Sequence, residues 1–238
     1  MSLSVLTIAQ RALSGPGMTQ PSSIVTAGDD IGAQLQALLY TTVDDMVRRT
    51  DWQEQVTEAI ITTLAQEDQG ALPTLFPDYR RILAKTVWNR TAAVPLRQVN
   101  AQEWQTLKSG LITYPISRLW RIRGNHFMIY GNTTLGDTVS FEYSSRNWLT
   151  NYAGASPSDT IVADSDLCVL PYEPVLYGLR WRWQEAKGLD YSEAFRMYET
   201  VIESVRGSNA GEDAASLNAP TNMDTVFYPF DVSVAVGS

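Results

Sequence analysis

The stretch Leu119-Trp120-Arg121-Ile122-Arg123-Gly124-Asn125-His126-Phe127-Met128-Ile129-Tyr130 reads as two short strands joined by a two-residue turn. Gly124-Asn125 supplies the residue types that tolerate the left-handed backbone such a turn needs at both central positions. With that turn Ile122 faces Phe127 and Trp120 faces Ile129 across the strands, which makes one continuous apolar face. Arg121, Arg123, His126 and Met128 fall on the other face, expected to be the polar one. Downstream, Val139, Phe141 and Tyr143 alternate with Thr138, Ser140 and Glu142, which predicts a third strand and a small antiparallel meander.

Upstream of the hairpin the period of two begins after Trp52, where Val56, Ile60, Thr62 and Leu64 alternate with Thr57, Ala59, Ile61 and Thr63. Between Leu72 and Ser117, Pro73, Pro77, Pro95 and Pro115 interrupt the chain, leaving short strands near 85–89 and 94–99. Asn100-Ala101-Gln102-Glu103 has the spacing of a helix cap, followed by a turn or two carrying Trp104 and Leu107.

Helical periodicity frames this region on both sides. Leu3, Leu6, Ala9 and Leu13 recur at three- and four-residue spacing until Gly15-Pro16-Gly17 stops them. Thr26-Ala27-Gly28-Asp29 is spaced like a helix start, with Ile31, Leu35, Leu38, Leu39, Thr42 and Met46 on one face and Arg48-Arg49 at the negative end. Asn151 to Leu170 is rich in Gly, Ser, Pro and Asp and reads as a long surface connection. After it, Pro174 sits in a first helical turn and Leu176, Leu179, Trp183 and Ala186 share a face that Gly188 ends. Asp190-Tyr191-Ser192-Glu193 caps the next helix, with Ala194, Met197, Tyr198, Val201 and Val205 on its face. The short gap between the two predicts an antiparallel hairpin. A single tetratricopeptide-like unit could be read here, but that fold stacks several repeats and no second copy occurs.

The fold class expected is therefore α+β: a helical bundle with an inserted small antiparallel β domain and an extended C-terminal tail. The boundaries are 1–51 for the N-terminal helical part, 52–150 for the β-rich insert, 151–171 for a linker, 172–206 for the C-terminal helical hairpin packed on the N-terminal helices, and 207–238 for the tail.

Composition narrows the function. Eighteen Lys and Arg against 26 Asp and Glu give a formal net charge of -8, which opposes nonspecific attachment to DNA or an anionic membrane. A single cysteine, Cys168, forms no internal disulfide, as befits a reducing compartment. The start lacks a basic, apolar secretory signal, and no stretch approaches the roughly 20 apolar residues of a membrane helix. The expectation is a soluble protein made in the cytoplasm.

Chemistry is sparse. His126 is the one histidine and sits on the expected polar face of the hairpin, so a Ser-His-Asp or Cys-His site has little support. Asp164, Asp166, Glu173 and the pairs Asp29-Asp30 and Asp44-Asp45 read as loop and cap residues, without the spacing of a calcium loop. There is no phosphate-binding Gly-Lys-Ser/Thr loop and no dinucleotide fingerprint, so no cofactor and no catalytic or metal residue is expected. Arg118, Arg121 and Arg123 interleaved with Trp120, and Arg146 near Trp148, have the make-up of a nucleic-acid platform, which the net charge weighs against.

Several segments taken in order resemble the head-to-tail adaptor proteins of short-tailed and related bacteriophages. They are Arg49-Thr50-Asp51-Trp52, Leu75-Phe76-Pro77-Asp78-Tyr79, Trp88-Asn89-Arg90-Thr91, Glu103-Trp104, Phe141-Glu142-Tyr143 with Asn147-Trp148, and Trp181-Arg182-Trp183 with Lys187-Gly188-Leu189-Asp190-Tyr191. The resemblance spans about residues 1–206 and departs from the family at Pro171-Tyr172-Glu173 and in the length of chain past Gly207. It implies a non-enzymatic virion protein of the neck, synthesised in the host cytoplasm. Such a protein assembles with neighbouring copies into a ring of twelve beneath the portal protein. The ring extends the channel through which DNA passes without sequence-specific binding, and it docks a downstream tail or nozzle protein. Another neck, tail-tube or head-completion ring protein is the alternative, and a carboxylate-based hydrolase a more distant one.

Beyond Arg206 there is no Lys or Arg, and the chain ends in the alternating apolar segment 226–236. Phe227, Tyr228 and Phe230 would each bury about 150–250 Å² on a partner, or roughly 4–6 kcal/mol at about 25 cal/mol per Å². Ordering the segment costs about 1–2 kcal/mol per residue and cancels most of that. Val226, Val232, Val234 and Val236 alternate as a strand would, so the segment is expected to add to a sheet edge of the portal or of a neighbouring copy. Arg121, Arg123 and His126 are the further candidates for tail-side or partner contact.

Overall fold

In a computed structural model, the residues described are 2–14, 20–25, 30–110, 119–131, 134–152 and 156–209. The helix start at 26–29, Arg118 and the segment 226–236 lie outside them. In chain order come α1 (Val5–Ser14) and α2 (Asp30–Arg49), then β1 (Val56–Thr62), β2 (Asp68–Ala71), the single turn α3 (Leu72–Leu75), β3 (Tyr79–Ile82), β4 (Trp88–Asn89), β5 (Val94–Pro95) and β6 (Arg97–Gln98). There follow α4 (Ala101–Lys108), β7 (Leu119–Arg123), β8 (His126–Ile129), β9 (Thr138–Ser145), β10 (Leu149–Thr150), β11 (Pro157–Ser158), β12 (Leu167–Cys168), α5 (Tyr172–Ala186) and α6 (Ser192–Asn209). The fold is α+β.

The predicted hairpin forms in the expected register, Trp120 opposite Ile129 and Ile122 opposite Phe127. Gly124 and Asn125 both take positive φ, 58° and 64°, as the turn requires. The meander does not form. β9 leaves the hairpin and becomes the spine of a separate sheet, with β1 along one edge from Val56↔Ser144 to Thr62↔Thr138 and β3 and β4 sharing the other. β8 pairs instead with β2, giving the order β2-β8-β7-β6. Phe127 and Phe141, expected side by side in one sheet, meet as tilted rings between two sheets, their centroids 5.3 Å apart. Alternation determines which face of β9 is apolar, but β1 decides its neighbour by offering seven residues in register, with Ala59 and Ile61 turned inward.

A second correction concerns the far face of the hairpin. Met128 is buried with Val99, Trp104, Leu107 and Leu119, because α4 lies over that face. The α4 cap is as expected: Asn100 accepts from the Glu103 backbone while the Glu103 carboxylate accepts from the Asn100 backbone.

The helical core joins α1, α2, α5 and α6. In α1 the inward residues are Val5, Ile8, Ala9, Ala12 and Leu13, while Leu3 and Leu6 are half-buried, so the buried stripe is rotated from the one expected. The cause is the backbone of Leu3 to Leu6, which is tied to the 164–168 region by Val5 N–H to Asp166 O (2.9 Å) and Cys168 N–H to Leu3 O (2.9 Å). Those bonds also alter the picture of 151–170 as a surface connection. Ile161, Cys168 and Leu170 are buried, β10 pairs with both β11 and β12, and Asp164 accepts from the backbones of Ile24 and Val25 and from the Ser23 hydroxyl. Burial pushes the Cys168 thiol up to about 12, which keeps it a neutral core residue.

α5 and α6 form the predicted hairpin, with Gly188 at φ 67° ending the first helix. α5 crosses α2 so closely at Gly178 that a Cβ there would collide with the Thr42 methyl. At this crossing Asp45 accepts from the Tyr198 hydroxyl (2.7 Å), Arg49 (3.1 Å) and the buried Arg182 (3.1 Å). Burial alone would raise the Asp45 carboxyl, but those three bonds outweigh it and hold the group below the usual carboxylate range. Burial of its ring, and then the same carboxylate, push the Tyr198 hydroxyl well above its ordinary value.

Candidate functional site

Three surfaces carry features that packing does not explain. The first is the outer edge of β1. It pairs with β9 on one side and no described strand lies on the other, so alternate residues along it turn their backbone N–H and C=O groups outward. Ile60 is 62 % exposed on this strand, an apolar residue where a solvated edge favours charge.

The second is the far face of the hairpin, where Arg123 and His126 oppose each other across β7 and β8. His126 donates from Nδ1 to the Asp68 carboxylate at 2.9–3.0 Å. Asp68 is held below the usual carboxylate range, first by the Gly70 backbone N–H and then by His126. Arg121 turns away and lays its guanidinium over the Trp104 ring, 5.6 Å from the centroid. Of the three residues singled out from the sequence, two are brought together and the third serves the α4 contact. The valines and aromatics of 226–236 lie outside the described residues.

The third surface joins Arg146 and Trp148, singled out from the sequence, to residues that were not. Where the last turns of α2 meet β3 and the link between β9 and β10, a cleft of about 300 Å³ is lined by Arg48, Arg80 and Arg146, with Asp44, Gln55 and Trp148 beside them. Arg80 is half-buried and enters no ion pair with a described residue; burial and then the adjacent Arg81 hold its guanidinium below its ordinary value, while Asp44 and Asp51 act the other way. Arg146 is spent partly on the Pro77 carbonyl at 3.1 Å. Gln55 is 3 % exposed; its amide N–H donates to Asn147 O at 3.2 Å, and its Oε1 accepts no hydrogen bond among the described residues. A carbonyl oxygen in that position calls for an N–H or O–H donor. Asp44 and Asp159 share the lining with the arginines, so the cleft carries charges of both signs. Its arginines stand 32 and 66 residues apart in the chain, so no local motif announces it.

Among the described residues no cluster of three or more His, Cys, Asp or Glu has the arrangement of a metal site, and no helix is long and apolar enough to cross a membrane. Compared with known proteins, the sequence matches no family model and no curated sequence.

Proposed function

We propose that this chain is a structural adaptor of a tailed-phage virion that assembles as a ring, in twelve copies, between the portal protein and the next tail or nozzle component. The observation that carries the reading is the open edge of β1 with Ile60 exposed on it, the form of surface that another chain's strand completes. The segment 226–236 alternates apolar residues in the pattern of a strand that such an edge accepts. In a ring each subunit both gives and receives, so a modest gain per contact is multiplied by symmetry and effective concentration. The resemblance of the chain's sequence segments to such adaptors adds support, and several of those residues sit at structural junctions. Trp52 donates to Met46 O at 3.1 Å under α2, Asp78 accepts from the Tyr143 and Ser145 hydroxyls, and Arg182 bridges α5 to α2.

The net charge of -8 suits a lumen past which DNA slides without adhering. The test is deletion of residues 226–238, followed by electron microscopy of whole particles. The truncated chain is expected to keep its helical core, measured by circular dichroism, and to be missing from the neck; normal incorporation of the truncated chain overturns the assignment.

A further inference from the structure

Sheet edges left in water are usually blunted, and most edges of this molecule are. β5 and β11 are two residues long and carry Pro95 and Pro157, which lack a backbone donor. β6 and β12 are equally short, and an irregularity breaks the register of β2 and of β3. Among the described residues β1 is the exception. Its seven residues, Val56–Thr62, pair with β9 without Pro, Gly or a register shift, and their one charge, Glu58, is met by Arg90 at 3.1 Å. A long regular edge with its charge neutralised and Ile60 62 % exposed has the form of one that is paired.

The backbone directions limit how it can pair. Arg90 N–H bonds Thr138 O, so Thr138 faces β4, and Thr62, directly opposite Thr138, faces away from β9. Thr63 N–H bonds Asp137 O, which puts the odd-numbered residues on the β9 side. Val56, Glu58, Ile60 and Thr62 therefore turn their N–H and C=O groups to the open edge, and their side chains share the outer face of the sheet.

We propose that in the free chain this edge pairs with β1 of a second copy, antiparallel about a two-fold axis, with Ile60 of one copy opposite Ile60 of the other. Outward groups meet only where even-numbered residues face even-numbered ones, which leaves few registers. Glu58 opposite Glu58 sets like charges together, and Glu58 opposite Ile60 sets a carboxylate against the exposed apolar side chain. Ile60 opposite Ile60 covers both isoleucines and places Glu58 against Thr62; on the inner face it places Ala59 against Ile61, small against large. The strand is thus complementary to itself, and each hydrogen-bonded pair exchanges both backbone bonds. One pair of such strands buries less than the roughly 1,200–2,000 Å² of stable complexes, so the dimer is weak and yields to a tighter-binding strand. The pairing stands whether or not the chain is a virion adaptor; in that reading it covers the edge before assembly.

The test is sedimentation of the full chain from about 1 μM to about 1 mM, where wild type should pass from monomer to dimer. Ile60→Lys and Ile60→Glu, at an exposed position, should each weaken association by about fivefold or more, because like charges then meet on the axis. An equimolar mixture of the two should regain it, since residue 60 meets its own counterpart. Ile60→Cys should oxidise readily to a linked dimer, the opposed Cα atoms of such a pair lying about 5.5 Å apart, and Glu58→Cys, which faces Thr62, should not; Cys168 is buried and does not compete. Deleting residues 226–238 should leave wild-type association unchanged, which keeps this test separate from the particle experiment. A wild type that stays monomeric overturns the proposal, as do a mixture that fails to restore association and equal cross-linking at positions 58 and 60. Loss of association on deleting 226–238 overturns it too, and assigns the contact to that segment.

Discussion

The two large cores of this molecule are held by different means. Between the sheets the packing is aromatic and apolar: Phe76, Phe127, Phe141 and Tyr143 stack edge-on or tilted at 5.3–5.8 Å, with Val87, Leu96 and Ile129 around them. Between α2, α5 and α6 a polar network sits inside the apolar cluster, with Asp45 receiving bonds from Tyr198, Arg49 and Arg182. Packed volume dominates the first. The second also demands one rotation and one height of each helix, because Arg182 reaches Asp45 only when Gly178 sits against Thr42. A helix pair can slide along apolar ridges at modest cost, whereas a buried guanidinium without its carboxylate is heavily penalised. The network therefore sets register, and the aromatic stack supplies cohesion.

The largest expected effect breaks the sheet side of this comparison. Phe141 is buried at the centre of the stack, in contact with rings from β8 and from the α3 turn. Phe141→Ala leaves a cavity in a layer that two paired sheets keep from collapsing, at about 3–5 kcal/mol. For a chain of this size that lowers the thermal midpoint by about 2–4 °C per kcal/mol, readable by calorimetry. A loss under 1 kcal/mol would mean that the sheets close over the gap and that the stack is not what joins them.

Asp45→Asn addresses the helical side and should cost somewhat less, about 2–3 kcal/mol, because the Asp45 side chain keeps 30 % exposure and water screens part of the pair. The pH profile separates charge from shape. The folded-state carboxyl lies below its ordinary value, so its stabilisation is complete above about pH 4 and is lost as pH falls through the folded pKa. Thermal unfolding of wild type should therefore weaken on the acid side more steeply than that of Asp45→Asn. Parallel acid slopes would show that the carboxylate's charge contributes nothing beyond its hydrogen bonds.

How far the sequence could be read follows from the same contrast. The hairpin and the α4 cap were legible because their causes are local: two residues tolerant of positive φ at 124 and 125, and a reciprocal Asn100–Glu103 pair. The alternation of β9 was legible too, but its partner was not, since alternation belongs to one strand and pairing to two. Asn151–Leu170 has the composition of a loop, yet its order comes from partners some 140–165 residues away, Leu3, Val5 and Ile24 among them. The arginine cleft is the extreme case, three residues from separate stretches of the chain with no shared periodicity. Arg182 could have been suspected from Trp181-Arg182-Trp183, a cation set between core aromatics, although nothing near it in sequence names Asp45.

The smallest expected effect sharpens the comparison by moving the same chemistry to the surface. His126 and Asp68 form a pair as close as Arg182 and Asp45, 2.9 Å against 3.1 Å, but both side chains are more than 40 % exposed. Water screens the charges and already satisfies each group in the unfolded chain, so His126→Gln should change stability at neutral pH by no more than about 0.5 kcal/mol. Its acid profile should also stay close to wild type. Asp68 is depressed first by the Gly70 N–H, which the substitution leaves in place, and whatever stabilisation that bond gives is present above about pH 4 and fades below it in both proteins. A destabilisation as large as that of Asp45→Asn would mean that the face carrying Arg123 and His126 is covered in the folded protein, and the contrast between a register-setting pair inside and a solvated pair outside would collapse.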